Sequence, residues 1–338
     1  MISTAIGAAV LWILFRWSKL EPADLWSSWK RLSLGAALSA FAVHVAIYVV
    51  RSQRFRVLLP VAHRPSSAAM LAISAAHNLA AYVLPAKTGE MTLVMYLRSH
   101  SGVPAAQGLA ALLVSRLLDL ATLCLLLALA MIYLVTSRPD STPVWFWAFA
   151  VALLATAAFL MLLSARSDVL VRSAAWIARV FGLASWNIGL RMLARAEELS
   201  LALRQAPAGR VLWIAAAQSM AMWFGIFIFY SILARSFGLP PELGLADAAF
   251  GSSLVVLSNL LPINSFAGFG TQEGGWVLGF GLLGVPRDLA LSTGFGVHLA
   301  QLASTIVLGI CGHVAMGWLP GRAAAVGANA DTPGNGLG

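Results

Sequence analysis

Charged side chains occur in this sequence inside stretches that are otherwise apolar enough to cross a membrane. Arg116 and Asp119 lie three residues apart in the run LVSRLLDLATL, 12 and 15 residues after Pro104. At about 1.5 Å per helical residue this is roughly the middle of a bilayer, where each charge costs about 2.5 to 3.5 kcal/mol on insertion scales. Two interpretations are open: the charges neutralise each other on one helix face, or Arg116 also offers a donor to an anionic ligand.

Further polar residues lie where two apolar stretches are interrupted. The run LPAKTGEM contains Lys87 and Glu90, which are close enough in sequence to pair with each other. The run NLLPINSFAGFGTQEGGW contains Asn259 and Glu273. Asn259 could cap backbone groups freed at the interruption, whereas Glu273 has no basic residue near it in sequence. The partner of Glu273 must therefore come from elsewhere in the fold, or its carboxylate titrates.

The two interruptions belong to an internal repeat. In both copies a Leu-Pro sequence is followed by a glycine-rich turn that ends in a glutamate, then by Gly-Val-Pro and a long apolar stretch. Counted from Gly-Val-Pro, His298 and Gln301 occupy the positions that Arg116 and Asp119 hold in the first copy. For His298, packing or hydrogen bonding is the more common role, and a proton relay is the alternative.

Composition identifies the environment of these residues. Hydrophobic residues make up 60% of the 338 positions and charged residues 10%, and the mean hydropathy is +0.83. These values predict an all-α, polytopic integral membrane protein, since several windows hold the roughly 20 apolar residues that a membrane helix needs. We predict one membrane domain over 1–320 and a disordered tail over 321–338. The net charge of +9 does not indicate nucleic-acid binding, because Lys and Arg flank the apolar windows.

The repeat predicts an inverted arrangement of its copies, at about 66–135 and 242–318. Three apolar windows, 105–135, 144–163 and 211–235, separate the interrupted segments, and an odd number of crossings puts the copies in opposite orientations. Secondary transporters have this inverted-repeat layout, with two broken or re-entrant segments at the binding site. Non-helical backbone at membrane depth needs protein or water partners, so we predict a cavity at the breaks. The alternative is that the second break is an extracytoplasmic loop between two full spans.

The distribution of arginines predicts the orientation in the membrane. Segment 164–210 contains seven arginines and is predicted to form a basic cytoplasmic loop, with the run DVLVRSAAWIARVFGL forming a helix in the interface. The run RSQRFRVLLPVAHR, which includes Arg51 and Arg54, is predicted to be a second cytoplasmic loop. We expect a multi-pass protein of the bacterial inner membrane.

The sequence contains no pattern typical of catalysis or metal binding. It has no H-E-x-x-H, G-x-S-x-G or P-loop motif, and no pair of aspartate-rich motifs that would hold magnesium diphosphate. Cys124 and Cys311 lie in apolar runs and are typical of small buried hydrophobes. We therefore expect no enzyme, no metal and no cofactor.

The motifs LPAKTGEM, SRLLDL and LPINSFAGFGTQE, in this order, resemble the flippase-like family named after the membrane region of lysylphosphatidylglycerol synthase. The resemblance spans about residues 30–318 and extends to stand-alone relatives linked to hopanoid lipids. It departs from the family at INSF and at His298, where the first copy has Arg116. In the bifunctional synthases this region moves lipids between leaflets, and a separate soluble domain uses aminoacyl-tRNA. This chain leaves no room for such a domain, so aminoacyl transfer is not expected.

The resemblance and the motifs together imply a lipid translocase. Its expected substrate is an anionic lipid or one of the polyprenyl or hopanoid type, and its expected partners are membrane lipids with anionic headgroups. The alternative is a membrane enzyme or an assembly partner in lipid or cell-envelope glycan biosynthesis. The candidate substrate-binding residues are Lys87, Glu90, Arg116, Asp119, Asn259, Glu273, His298 and Gln301.

Overall fold

The computed structural model describes most of the predicted membrane domain. The described residues are 12, 29–138, 145–182, 186–205, 209–260 and 266–319, without the side chains of 85–87, 188, 205, 259, 260 and 266. The start of the predicted membrane domain (1–28, except Trp12), the predicted tail and the centre of the second break therefore lie outside the described residues.

The described residues form α-helices joined by short turns, and they contain no strand. The helices are α1 (Leu34–Leu58), α2 (Ser67–Val83), α3 (Thr92–Ser101), α4 (Ala105–Ser137), α5 (Trp145–Ala165), α6 (Ser167–Val180), α7 (Asn187–Gln205), α8 (Arg210–Ser236), α9 (Leu245–Leu260), α10 (Thr271–Gly281) and α11 (Arg287–Trp318). Short 3-10 segments cover Val61–His63, Pro85–Met91 and Phe266–Gly268. The sequence supplies clear helix starts, since the hydroxyls of Ser33 and Ser66 each accept a backbone hydrogen bond of 3.2 Å.

Five described helices, α1, α4, α5, α8 and α11, are long and apolar enough to cross a membrane. Large apolar side chains on α5, among them Val151, Phe159 and Leu162, are exposed, as expected of a surface that faces lipid tails. The predicted class, an all-α polytopic membrane protein, is confirmed.

Two helical hairpins lie between the long helices. In the first, α2 and α3 run antiparallel, because Gly89 packs against Ala80 and the His77 Nδ1 lies 3.1 Å from the Thr92 hydroxyl. At about 1.5 Å per residue, α3 is only about 15 Å long, half the thickness of a hydrocarbon core. The chain therefore turns back on itself at the first break, as a re-entrant segment does.

The second hairpin, α9 and α10, has the same form. Gly279 packs against Gly251, and Gly275 packs against Val255, so these two helices are also antiparallel. Helix α10 has 11 residues and is again too short to cross a bilayer. Glycines are required at these contacts, because a β-carbon on Gly279 would lie 2.1 Å from the carbonyl oxygen of Gly251.

The order of elements recurs in the two copies of the repeat. Each copy contains a helix of 17 or 16 residues, a break, a helix of 10 or 11 residues, a Gly-Val-Pro turn and a helix of 33 or 32 residues. The copies also exchange contacts, since α2 packs against α11 and α9 packs against α4. The opposite orientation of the copies across a membrane stays a prediction.

The basic segments differ from the prediction in one respect. Helix α1 continues to Leu58, so Arg51 and Arg54 are helical, and Arg54 is fully buried. The prediction that both belong to a cytoplasmic loop is wrong. A hydropathy profile drops at every arginine, so it cannot distinguish an arginine in water from one that pairs with a buried carboxylate. The amphipathic helix predicted in the other basic segment is present as α6, and its exposed apolar face includes Trp176 and Val180.

The α9–α10 contact yields a stability prediction with a control on the same helix. Gly279→Ala should destabilise the protein by about 1 to 3 kcal/mol, because the added methyl meets backbone that cannot rotate away. Gly281→Ala is the control, since a β-carbon there has nothing within 4 Å. Thermal unfolding of the detergent-solubilised protein measures both. An equal midpoint for the two variants would contradict the close approach of α9 and α10.

Candidate functional site

The carboxylate of Asp119 is the centre of a buried charge cluster near the middle of α4. Both Nη atoms of Arg54 donate to it, Nη1 to Oδ1 and Nη2 to Oδ2, the latter at 3.1 Å. The indole N–H of Trp223 donates to Oδ1 at 3.1 Å, and Arg116 Nη1 donates to Oδ2 at 3.1 Å. The Arg54 side chain is 0% exposed, so this ion pair is enclosed by α1, α4 and α8.

Arg116 also holds the glutamate of the first break. Its Nη2 and Nε donate to Oε2 of Glu90 at 2.5 and 3.2 Å. The interaction fixes the end of the break to α4, one turn before Asp119. The Arg116 side chain nevertheless remains 43% exposed. We call Arg54, Glu90, Arg116 and Asp119 the Asp119 cluster.

Arg51 extends the Asp119 cluster along α1. It donates to the side-chain oxygen of Asn78 and interacts electrostatically with Asp119 and Arg116. Among the described side chains it makes no direct ion pair with a carboxylate. Three guanidiniums therefore face two carboxylates, and the described part of this region carries one excess positive charge.

The second copy of the repeat has a corresponding pair, Glu273 and His298. Oε1 of Glu273 lies 2.5 Å from Nδ1 of His298, and both side chains are 0% exposed. Oε2 of Glu273 accepts the backbone N–H of Gly270 at 2.6 Å, so the same carboxylate caps α10. His298 Nε2 lies 2.9 Å from the carbonyl oxygen of Ala267. The break glutamate thus binds the equivalent position of the long helix in both copies, to Arg116 in the first and to His298 in the second. We call Glu273 and His298 the Glu273 pair.

A network of neutral polar groups lies beside the Glu273 pair. Gln272 donates to Gln301 at 2.9 Å, and the hydroxyls of Tyr82 and Tyr230 donate to Gln272 and Gln301 at 3.1 and 3.2 Å. The C-terminal end of α2 therefore contacts the start of α10, so the two breaks approach each other. Because each polar group is bound to another, the network is compatible with burial.

Polar contacts continue from the Gln301 network towards the Asp119 cluster. Ser304 donates to the carbonyl oxygen of Gln301 at 2.9 Å and lies 2.7 Å from Nδ1 of His44. The His44 ring meets Tyr48 edge-on at 5.0 Å, and Asn78, which binds Arg51, donates to the Tyr48 hydroxyl at 2.5 Å. A line of polar side chains thus crosses the core between the two copies.

The structure brings most of the predicted site residues into two groups. Glu90, Arg116 and Asp119 form one group, and Glu273, His298 and Gln301 lie in or beside the other. The side chains of Lys87 and Asn259 lie outside the described part of the chain. The predicted Lys87 contact with Glu90 therefore stays open.

Sequence reasoning missed several residues of these groups. Arg54 and Arg51 were placed in a loop because four arginines in 14 residues are typical of one. Gln272, Tyr82 and Tyr230 give no sequence signal beyond their position near a break. A helical projection of α1 would have helped for Arg54, since it lies on the same face as the buried Ile47 and Leu58.

Neither group resembles a metal centre. Among the residues that the structure describes, no three His, Cys, Asp or Glu side chains lie close enough together to hold a metal ion. A groove of about 500 Å³ lies apart from both groups, between α10 and the start of α11. It is lined mainly by apolar residues such as Val277 and Leu291, and Arg287 is also in its lining.

These features define a multi-pass α-helical membrane protein with two antiparallel hairpins and polar side chains buried at the breaks. The chain belongs to the lysylphosphatidylglycerol synthase TM region family, whose model matches residues 1–309. The resemblance found in the motifs is thereby confirmed. No curated protein and no solved structure matches the chain.

Proposed function

We propose that the protein is a non-enzymatic lipid translocase that moves an anionic membrane lipid between leaflets of the bacterial inner membrane. The observation that carries the proposal is the charged, partly exposed side chain of Arg116 near the middle of a long apolar helix. Membership of a family of membrane domains from lipid-modifying synthases is consistent with a lipid substrate. The two hairpins supply the broken helices that transporter binding sites use.

The depth of Arg116 supports a polar ligand. It is 11 residues after the start of α4, which corresponds to about 17 Å along the helix axis. A charged group at this depth that protein does not fully cover must contact water or a polar ligand. A guanidinium matches a phosphate with two parallel hydrogen bonds, and the excess positive charge beside Arg51 favours an anion.

The apolar groove supports an amphiphilic ligand. Its volume of about 500 Å³ and its apolar lining suit part of an acyl or isoprenoid chain. Arg287 is also in the groove lining and directly follows the Gly-Val-Pro turn, so its positive charge would lie close to the headgroup of a lipid bound there. A soluble anion has no apolar chain that could fill this groove, so the groove and the Asp119 cluster together favour a lipid as the ligand.

Arg116→Leu tests the phosphate role without disturbing the buried ion pair, because Asp119 keeps Arg54 and Trp223. Loss of a charged hydrogen-bonding group removes about 1.5 to 3 kcal/mol, so transport of anionic lipid should slow about tenfold to a hundredfold. Arg116→Lys should retain part of the activity, since it keeps the charge but not the paired geometry. The measurement is the leaflet exposure of fluorescent phosphatidylglycerol in proteoliposomes, with fluorescent phosphatidylcholine as the neutral probe.

Arg195→Leu is the matched control. It removes one positive charge from a side chain that is 79% exposed on α7, far from the breaks in sequence. Its transport rate should equal that of the wild type. Normal phosphatidylglycerol movement in folded Arg116→Leu would exclude the phosphate role of Arg116. Absence of lipid movement by the wild type would refute the translocase function and favour an enzyme or an assembly partner.

A further inference from the structure

The hydrogen bonds of the Glu273 pair determine how many protons it holds. A carbonyl oxygen only accepts, so the contact from Ala267 requires the hydrogen of His298 to be on Nε2. Nδ1 then lies 2.5 Å from Oε1 of Glu273, and a lone pair cannot face a carboxylate at that distance without a proton between them. The other carboxylate oxygen accepts from Gly270 and supplies no hydrogen. The pair therefore contains one proton more than a neutral imidazole and a carboxylate.

Among the described residues, the surroundings of the Glu273 pair offer no replacement for that proton. Tyr82 of α2 faces the imidazole edge-on at 6.1 Å, and the Phe269 ring lies at 4.5 Å. Tyr230 of α8 is reached through Gln301. The described titratable or charged side chains on the helices packed around the pair lie elsewhere. His44 contacts Ser304, His77 contacts Thr92, Asp247 binds Arg138, His313 contacts Tyr96, Arg51 donates to Asn78, Arg235 donates to the carbonyl oxygen of Leu243, and Asp288 is exposed ten residues before His298. Loss of the proton would thus leave an uncompensated charge in a buried site, which is strongly unfavourable.

The Glu273 pair also ties the end of the second break to α11. Ala267 has φ of 51°, a left-handed conformation that is strained for a residue with a side chain. Its carbonyl is held by His298, and the next turn is held through the N–H of Gly270. When the proton leaves, the Nδ1 lone pair and the carboxylate repel each other. This repulsion pushes the carboxylate and the Gly270 turn that it caps away from α11, against the remaining contacts of Ala267 and Phe269 with His298.

The first copy of the repeat differs at this position. A guanidinium, as on Arg116, keeps its proton under all physiological conditions, whereas imidazole is the side-chain type that exchanges one near neutral pH. The break glutamate is therefore held permanently in the first copy and only with a bound proton in the second. Because of this asymmetry, only the second hairpin can change its contact with the following long helix when a proton binds or leaves.

We propose that the Glu273 pair is a proton-binding site that keeps the second hairpin closed, and that it couples lipid movement to a proton. The coupling rests on the translocase function proposed above, but the closing does not. With the proton bound, segment 266–270 stays against α11. Proton release opens it, and uptake closes it again.

The Glu273→Gln variant tests whether the additional proton matters, because it keeps the hydrogen bonds of the pair without needing that proton. The amide oxygen can accept from Gly270, and the amide N–H can donate to Nδ1 of a neutral imidazole that still donates from Nε2 to Ala267. Every hydrogen bond is kept without the additional proton, so this variant should stay closed at all pH values. Glu273→Ala removes both contacts of the carboxylate and should stay open.

The opening can be measured without transport. Ala267→Cys, in protein lacking Cys124 and Cys311, places one buried thiol on the moving segment. An impermeant maleimide labels it in nanodiscs, and the rate is divided by that of the same thiol in the Glu273→Gln background, which cancels the pH dependence of the thiol. We expect this ratio to be near one at low pH and to rise about tenfold per pH unit above the midpoint. A ratio that does not change with pH would overturn the proton-binding site, as would slow labelling in Glu273→Ala.

Lipid movement in proteoliposomes then tests the coupling. A pH difference across the membrane should speed phosphatidylglycerol movement by the wild type and leave Glu273→Gln inactive. Wild-type movement that ignores the pH difference would overturn the coupling even if the labelling ratio depends on pH. No lipid movement under any condition would instead refute the translocase function, and the labelling ratio would decide the proton-binding site by itself.

Discussion

Asp119→Leu is expected to remove most of the folded protein from the membrane. Asp119 is the carboxylate that neutralises Arg54, whose side chain is 0% exposed. Removing one partner of a buried ion pair leaves the other charge uncompensated, at a cost of about 3 to 5 kcal/mol. That is a large part of the roughly 5 to 15 kcal/mol by which a typical domain is stable. The measurement is the amount of monodisperse protein after detergent extraction, together with its thermal unfolding midpoint.

The double change Arg54→Met with Asp119→Leu is expected to restore the folded protein. A buried pair replaced by apolar side chains of similar size is often neutral or stabilising, because neither charge is then desolvated. The control is Arg116→Leu, which removes a charge from the same cluster but leaves Arg54 and Asp119 paired. A singly substituted Asp119→Leu protein that unfolds at the wild-type midpoint would contradict the buried pair, and so would a double variant as unstable as the single one.

This coupling could not be predicted from sequence. Arg116 and Asp119 are three apart on one helix, and that spacing indicates a local pair without any knowledge of the fold. Arg54 is 65 residues from Asp119. A charge at the end of an apolar window is usually interpreted as the end of a membrane span, so the sequence gives no indication of this distant partner. The contact depends on how α1 packs against α4 and α8, which is a tertiary property. Removal of both charges of the Arg116–Asp119 pair would therefore leave Arg54 without its carboxylate partner.

The breaks were more predictable, because polar and helix-breaking residues are conspicuous in an apolar chain. The repeat identified the equivalent positions Arg116 and His298 from their distance to Gly-Val-Pro, and the structure shows each bound to the glutamate of its own break. Sequence showed that Glu273 lacked a nearby base, but it did not name His298 as the partner. Helix lengths explain why: a hairpin of two short helices brings the break back against the long helix that follows, and the hydropathy profile cannot show that return.

The predicted orientation of the two copies rests on counting the helices between them. Between Ala105 at the start of α4 and Asp288 at the start of α11, helices α4, α5 and α8 are each long and apolar enough to cross once. The hairpin of α9 and α10 returns to the side from which it starts, so it adds no crossing. Three crossings would put Ala105 and Asp288 on opposite sides, and the arginines of 164–210 predict that Ala105 is on the cytoplasmic side.

Single cysteines at Ala105 and Asp288 should therefore react with an impermeant maleimide from opposite sides of sealed vesicles. Both residues are exposed, and the background lacks the two native cysteines, of which Cys311 is itself exposed. Ser137→Cys at the end of α4 is the matched control, because one crossing from Ala105 puts it on the same side as Asp288. Labelling of Ala105→Cys and Asp288→Cys from one side would rule out the inverted repeat, since at least one of α4, α5 and α8 would then fail to cross or one hairpin would span the membrane.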